Sequence, residues 1–170
     1  MMVRKTVAAL VATLLASLAG SAAGTDGGAA QERTGHDATM IERGRYIVRV
    51  AGCNDCHTPH YAQTGGRVAE RDWLVGDRLG WHGPWGTTFA ANLRIRLAQM
   101  SEDEWVRHAR STEARPPMPW FALRDMAEDD LRAIHRFVRS LGVAGEPAPA
   151  YLPPGEPAPG LAVLFPQPPK

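Results

Sequence analysis

The sequence predicts an all-α fold with long loops and an extended C-terminal tail. Three segments carry apolar residues at helical spacing, and no run shows the alternation that is typical of a half-buried strand. The 170-residue chain contains 17 glycines and 14 prolines, so much of it must be loop. Its length fits a single domain, and a hydrophobic content of 44% is enough to form a core.

The first 23 residues have the pattern of a secretory signal peptide. Arg4 and Lys5 precede a mostly apolar run at 7–18, and small residues follow it up to Ala23. The run is about a dozen residues long, shorter than the roughly 20 residues that a membrane-spanning helix needs. We therefore expect export to the periplasm with no transmembrane span after cleavage; an uncleaved anchor is the alternative.

The composition divides the rest of the chain into three parts. Residues 24–36 are rich in glycine, threonine and polar side chains, which predicts a flexible lead-in. Residues 37–145 contain all five tryptophans and both cysteines, and form the predicted domain. Residues 146–170 are rich in proline and cannot form a helix. The tail is either an extended linker or a strap lying on the domain, and an apolar run at 161–165 favours a strap that docks.

Three helices are predicted within the domain, and residues 58–99 between the first two are predicted to be loop. Asp37 is a candidate N-cap of the first helix, a capping box from Ser101 to Glu104 begins the second, and Gly142 ends the third. His108 and His135 lie off the apolar stripes and are expected to be exposed. The apolar faces consist of Ile41, Gly44, Val48 and Ala51 in the first helix, Trp105 and Ala109 in the second, and Leu131, Ile134, Phe137, Val138 and Leu141 in the third.

Charge and cysteine content exclude several classes of function. The formal net charge of +1, from 19 basic and 18 acidic residues, argues against a protein that neutralises many phosphates of a nucleic acid. Two cysteines are too few for a disulfide scaffold or for a zinc site with four cysteine ligands.

The two cysteines lie in a C-x-x-C-H motif, Cys53-Asn54-Asp55-Cys56-His57. This spacing is typical of covalent heme c attachment, in which both sulfurs bond one porphyrin and the histidine binds its iron. A thioredoxin-like redox pair is an alternative, but it expects a βαβ setting that the sequence lacks. A zinc site is a second alternative, in which His60 and His82 would join Cys53 and Cys56.

Beyond this motif, the chain resembles the class I cytochromes c over residues 37–145. The resemblance implies the fold of that family, with three main helices and long loops around one covalent heme. It also implies that Tyr46 and Phe137 meet where the first and last helices cross. The stretches that carry it are 42–46, 52–58, 86–92, Pro117-Met118-Pro119-Trp120, Asp129-Asp130-Leu131-Arg132-Ala133-Ile134 and Ser140-Leu141-Gly142.

More narrowly, the chain is similar to the cytochrome domains of bacterial membrane dehydrogenases for alcohols and sugar acids. Those subunits commonly carry three heme motifs, whereas this chain has one. The single motif favours a separate carrier with one heme.

Met118 is the expected second axial ligand of the iron. Three prolines, Pro116, Pro117 and Pro119, surround it, and each one reduces the freedom that the loop loses on folding. The family also has its ligand in the loop before the last helix. Met100 and Met126 precede helices and are expected to pack on them, while His82 remains the alternative ligand.

Four further residues are candidates for the heme pocket. The resemblance implies that the Pro84 carbonyl accepts a hydrogen bond from His57 Nδ1, which would raise the basicity of the ligand. Trp85 and Asn92 are candidates for bonding the heme propionates. Trp120, which follows the methionine loop, completes the expected pocket.

These features predict a periplasmic mono-heme cytochrome c that is not an enzyme. It would carry single electrons between a dehydrogenase and a terminal oxidase or another cytochrome. Two alternatives remain open: a heme enzyme or ligand sensor with an open or displaceable sixth position, and a tightly bound electron-transfer subunit of a dehydrogenase.

Overall fold

A computed structural model describes residues 25–166, which form six α-helices and a small three-stranded sheet. The chain is therefore mostly helical, but the expectation that it contains no sheet is wrong. The predicted signal peptide, residues 1–23, lies outside the described residues, as do residues 167–170 of the tail. The elements are α1 (Thr25–Val50), α2 (Cys53–His57), a 3-10 turn (Glu70–Asp72), β1 (Gly80–Gly83), β2 (Gly86–Phe89), α3 (Leu93–Ala98), α4 (Glu102–Ser111), α5 (Trp120–Asp125), α6 (Glu128–Ser140) and β3 (Ala162–Leu164).

The sheet lies within the region predicted to be loop. Strands β1 and β2 form an antiparallel hairpin, and β3 from the tail pairs with β1 in parallel. Strands of three or four residues are too short to show an alternating pattern, and the partner of β3 is far away in sequence. The prediction that the apolar run of the tail docks on the domain is confirmed by this pairing.

The first helix begins earlier than the sequence analysis predicts. Residues 24–36 were expected to be flexible, but α1 is helical from Thr25 onward. No proline interrupts this stretch, and Gln31, Glu32 and Arg33 are good helix formers. Asp37 is consequently inside the helix rather than at its N-cap, and its carboxylate pairs with Arg136 of α6.

Helix α1 packs mainly on α6, and the two backbones come closest at Gly44. A Cβ atom at Gly44 would lie 2.0 Å from the Ala133 carbonyl oxygen and 2.7 Å from Phe137 Cβ. The expected contact between Tyr46 and Phe137 is wrong: Tyr46 is 55% exposed, and the Phe137 ring packs edge-on against Trp73. Two positions along a helix correspond to about 200°, so Tyr46 faces away from the crossing at Gly44.

Helix α4 begins as predicted. The Ser101 hydroxyl accepts a hydrogen bond from Glu104 N, and the Glu104 carboxylate accepts one from Ser101 N. The predicted face of α4 is buried, and Trp105 Nε1 donates to the Leu131 carbonyl of α6 at 2.8 Å. The buried hydrophobic core consists of Ile47, Val48, Tyr61, Trp73, Leu74, Leu97, Trp105, Val106, Ala109, Leu131, Ala133, Ile134, Phe137 and Val138.

An ion-pair network also joins α4 to α6. Glu102 accepts hydrogen bonds from Arg136 Nε at 2.8 Å and from Arg132 Nη1 at 3.2 Å. Partial burial opposes the ionisation of Glu102, but the two guanidinium groups outweigh it and hold the pKa of this carboxyl below its usual range. The network therefore holds α4 and α6 together most strongly when Glu102 is ionised.

A buried arginine fixes the end of α6. Arg94, in α3, donates to the Gly142 carbonyl at 2.5 Å, to the Arg71 carbonyl at 2.6 Å and to the Leu141 carbonyl. Carbonyls at a helix C-terminus lack partners within the helix, and a positive charge there interacts favourably with the negative end of the helix dipole. Arg94 therefore joins α3, α6 and the loop at residue 71.

One histidine lies where the sequence did not predict it. His135 was expected to be exposed, but it is only 7% exposed, and its Nε2 lies 3.0 Å from the Met100 carbonyl oxygen. This carbonyl comes from the chain just before α4. The helical pattern of α6 alone could not indicate that another segment covers this position.

Replacing Gly44 with alanine should reduce the stability of the fold. The new methyl group would overlap the backbone of α6, so Gly44→Ala is expected to lower the free energy of unfolding by about 2 kcal/mol. Gly35→Ala is the matched control, because it lies in the same helix with nothing within 4 Å. The control should raise stability by up to about 1 kcal/mol. Urea unfolding measures both variants, and equal effects would contradict the close crossing.

Candidate functional site

The C-x-x-C-H motif forms helix α2, a single turn that follows α1. The chain changes direction at Gly52, where φ is 73°, and α2 then extends from Cys53 to His57. Residues three and four positions apart lie on the same face of a helix. Cys53, Cys56 and His57 therefore share one face of α2. Helix α1, which packs on α6, leads directly into α2.

Both cysteines are free thiols and are half-buried. Burial raises the pKa of Cys53 to about 11. Burial also raises the pKa of Cys56, and the carboxylates of Asp55 and Asp77 contribute to this increase. Both groups are therefore protonated at neutral pH. Thioredoxin-like pairs depend instead on a lowered thiol pKa, so these environments do not favour that alternative.

The His57 ring is buried and held in one orientation. Its Nδ1 lies 2.8 Å from the Ala91 carbonyl oxygen, so Nδ1–H is the donor and the lone pair is on Nε2. Burial and the positive charge of Arg96 lower the pKa of His57, although the bond to Ala91 opposes this change. A neutral imidazole with its Nε2 lone pair available is the form that binds a metal ion.

The hydrogen-bond partner of His57 differs from the one expected. Pro84 was expected to supply the carbonyl, but the structure gives this role to Ala91, so that assignment is wrong. Pro84 is exposed in the turn between β1 and β2. Ala91 follows β2, and the segment that contains it passes beside α2.

A second set of contacts fixes the position of this segment against α2. Gly76 N donates to the His57 carbonyl at 2.9 Å, and Asp77 N donates to the Ala90 carbonyl at 3.1 Å. Gly76 has a φ of 80°, and a Cβ atom there would lie 2.8 Å from Asn92 N and 2.9 Å from the Ala90 carbonyl oxygen. Only glycine fits here, and its small size allows residues 90–92 to approach His57.

A buried chain of hydrogen bonds through the Thr58 side chain joins α2 to the backbone at Leu74. The Thr58 hydroxyl donates to Asn54 Oδ1 at 2.7 Å and accepts from Leu74 N at 2.8 Å. Asn54 and Thr58 are almost completely buried. Neither residue is predicted as part of the site, although two short polar side chains lie four positions apart at the C-x-x-C-H motif, which is a local signal.

Met118 is half-buried in a loop that is attached to β2. Met118 N donates to the Arg115 carbonyl at 3.3 Å, and Thr88 Oγ1 donates to the Pro116 carbonyl at 2.8 Å. Thr88 precedes Ala91 by three residues, at most about 10 Å of extended chain. One short segment therefore bonds both His57 and the methionine loop.

The alternative ligands have other contacts. Met126 packs against the core, and the Met100 carbonyl pairs with His135. His82 is in β1, and its Nδ1 lies 2.8 Å from Thr87 Oγ1. His60 is exposed. Within residues 25–166, no three His, Cys, Asp or Glu side chains converge on a point where they could hold one metal ion. Zinc needs three or four such ligands, so the donor set does not fit it.

Three other candidates for the heme pocket make contacts within the protein. Asn92 is the N-cap of α3: its Oδ1 accepts from Ile95 N, and its amide donates to the Ala144 and Glu146 carbonyls. Trp85 Nε1 donates to the Trp81 carbonyl at 3.3 Å. Trp120 is the first residue of α5, and the Arg124 guanidinium lies over its ring. A role for Asn92 and Trp85 at the heme propionates stays a prediction.

Comparison with known proteins gives no match among family models, curated proteins or solved structures. Among residues 25–166, no helix combines the length and the apolar character that crossing a membrane would require.

Substitution of Thr58 tests whether the hydrogen-bond chain between Asn54 and Leu74 stabilises the fold. Thr58→Val keeps the shape of the side chain but leaves Asn54 Oδ1 and Leu74 N buried without a partner. We expect it to lower the free energy of unfolding by about 2 kcal/mol. Thr58→Ser retains the hydroxyl and should cost less than half as much. If both variants unfold at the same urea concentration, the hydrogen-bond chain does not stabilise the site.

Proposed function

We propose that this protein is an exported cytochrome c with one covalent heme that carries single electrons between other redox proteins. The observation that carries the proposal is the common face of α2. Two protonated thiols lie there beside a neutral imidazole, and the hydrogen bond from Nδ1 to Ala91 leaves the Nε2 lone pair available. Because a porphyrin supplies four nitrogen ligands itself, the protein needs to supply only the axial ones.

The residues of α2 fit the chemistry of heme attachment. The Cys53 and Cys56 thiols would each add across a vinyl double bond: the sulfur bonds one carbon, the thiol hydrogen goes to the other, and nothing is oxidised overall. Helix α2 orients both thiols toward the same side. Once bound, the heme supplies an iron that gains and loses one electron.

In this proposal, His57 and Met118 would supply the two ligands that the protein gives to the heme iron. The Ala91 carbonyl holds the imidazole in one tautomer and increases its basicity. A thioether ligand raises the reduction potential relative to a second imidazole. Because both axial positions would be filled, no open site would remain for a substrate, which favours electron transfer over catalysis.

The order of the elements supports the same proposal. A first helix leads into C-x-x-C-H, a loop with the candidate methionine follows, and the last helix packs across the first at Gly44. This order resembles that of the class I cytochromes c. Location in the periplasm depends on the sequence pattern of residues 1–23.

The expected partners are a dehydrogenase as electron donor and a terminal oxidase or another cytochrome as acceptor. A formal net charge of +1 provides little long-range steering, so we expect docking to depend on local patches. A mobile carrier should form small, weak complexes, with less than about 1,200 Å² of buried surface. A fixed subunit of a dehydrogenase would instead stay bound during purification at high salt.

Carbon monoxide binding distinguishes an electron carrier from a protein with an open heme site. The reduced wild-type protein should keep its low-spin spectrum in carbon monoxide, because His57 and Met118 fill both axial positions. Met118→Ala should lose the thioether-to-iron absorption band completely and bind carbon monoxide. Its reduction potential should also fall, because the thioether ligand is lost.

Met100→Ala is the matched control, since it removes another half-buried methionine side chain and keeps the Met100 carbonyl that contacts His135. The control should behave like the wild type. Carbon monoxide binding by the wild-type protein would favour the enzyme or sensor alternative. Loss of the thioether band in the control alone would refute Met118 as the ligand.

A further inference from the structure

The proline-rich tail passes over the hairpin that holds the methionine loop. Thr87 N donates to the Leu152 carbonyl at 2.8 Å, and Leu152 N donates to the Thr87 carbonyl at 3.0 Å. Farther along, Phe165 packs against Trp81 and Trp85. The tail is therefore fixed to the hairpin on both sides of its proline-rich turns.

Tyr151 precedes Leu152 and is held at both ends of its side chain. The backbone pairing at Leu152 fixes the main chain next to Tyr151, and the Tyr151 hydroxyl donates to the Trp85 carbonyl at 2.8 Å. The ring is half-buried. Because the Tyr151 ring is held in this way, its face is a rigid surface on which another group can stack.

The group stacked on Tyr151 is the guanidinium of Arg115. Arg115 Cζ lies 3.8 Å from the centre of the ring. The other three cation–aromatic pairs within residues 25–166 have distances of 5.4 to 5.7 Å. The short separation indicates that this is the closest of the four contacts.

Arg115 is also the first residue of the turn that contains Met118. Its carbonyl accepts a hydrogen bond from Met118 N at 3.3 Å, and the next residue, Pro116, accepts one from Thr88. The side chain of Arg115 therefore links the tail to the backbone that carries the methionine. This link and the Thr88 hydrogen bond are separate attachments of the same loop.

We propose that Tyr151 is a positioning residue that, through Arg115, holds the Met118 loop so that its thioether stays on the iron. This inference rests on the proposed function, because it assumes a heme with Met118 as ligand. Without the stacked ring, the loop keeps its hydrogen bond from Thr88 but loses its link to the tail. The methionine then leaves the iron more often, and an external ligand competes more successfully.

Imidazole binding to the oxidised protein tests this role. Tyr151→Leu removes the ring face and should increase the apparent affinity for imidazole about tenfold. Tyr151→Phe keeps the ring and loses only the hydroxyl, so its affinity should stay closer to that of the wild type. Tyr46→Leu is the matched control: it removes a tyrosine that also lies under an arginine but is far from the loop in sequence, and it should leave the affinity unchanged.

Arg115→Gln provides a second route to the same contact through an exposed residue. It should raise the imidazole affinity as much as Tyr151→Leu does, and the double variant should show no further increase, because both changes remove one contact. The thioether-to-iron band should weaken in Tyr151→Leu and Arg115→Gln, and it should stay closer to that of the wild type in Tyr151→Phe.

The outcomes separate failure of this inference from failure of the proposed function. A wild-type protein without bound heme, or without the thioether band, would overturn the proposed function and this role with it. A wild-type protein with the band, and unchanged imidazole affinity in both Tyr151→Leu and Arg115→Gln, would overturn only the positioning role.

Discussion

The hydrogen bond between His57 Nδ1 and the Ala91 carbonyl joins helix α2 to the segment on which the rest of the site depends. Thr88 in this segment bonds the methionine loop, and the Asn92 amide donates to the Glu146 carbonyl at the start of the tail. Gly76 allows the segment to pass close to α2. The proposed ligands come from distant parts of the sequence, yet one stretch of five residues, 88–92, fixes α2 and the methionine loop relative to each other.

The crossing of α1 and α6 holds α2 in place for this arrangement. Because Gly44 has no side chain, the two helices can approach closely, and α1 then leads directly into α2. Arg94 and the Glu102 network attach the shorter helices to α6. Under the proposed function, this rigidity would help the ligands keep the same geometry in both oxidation states of the iron. The tail adds a further constraint at Arg115 through Tyr151.

The sequence predicted features that depend on neighbouring residues. The capping box at Ser101 and the apolar face of α6 follow from local patterns and are confirmed. The sheet and the burial of His135 were not predicted, because each depends on a segment that is distant in sequence. The same holds for the site: the C-x-x-C-H motif is local, whereas the choice of Ala91 over Pro84 depends on the path of the chain after β2.

Intact mass spectrometry under denaturing conditions shows whether a heme is bonded covalently to this protein. The protein should be produced with its first 23 residues in a host that attaches heme to exported proteins. We expect a chain that retains the mass of one heme after unfolding and has no thiol that can be alkylated, since Cys53 and Cys56 would both be bonded to the porphyrin. A chain with the mass of the bare polypeptide and two alkylatable thiols would contradict the account.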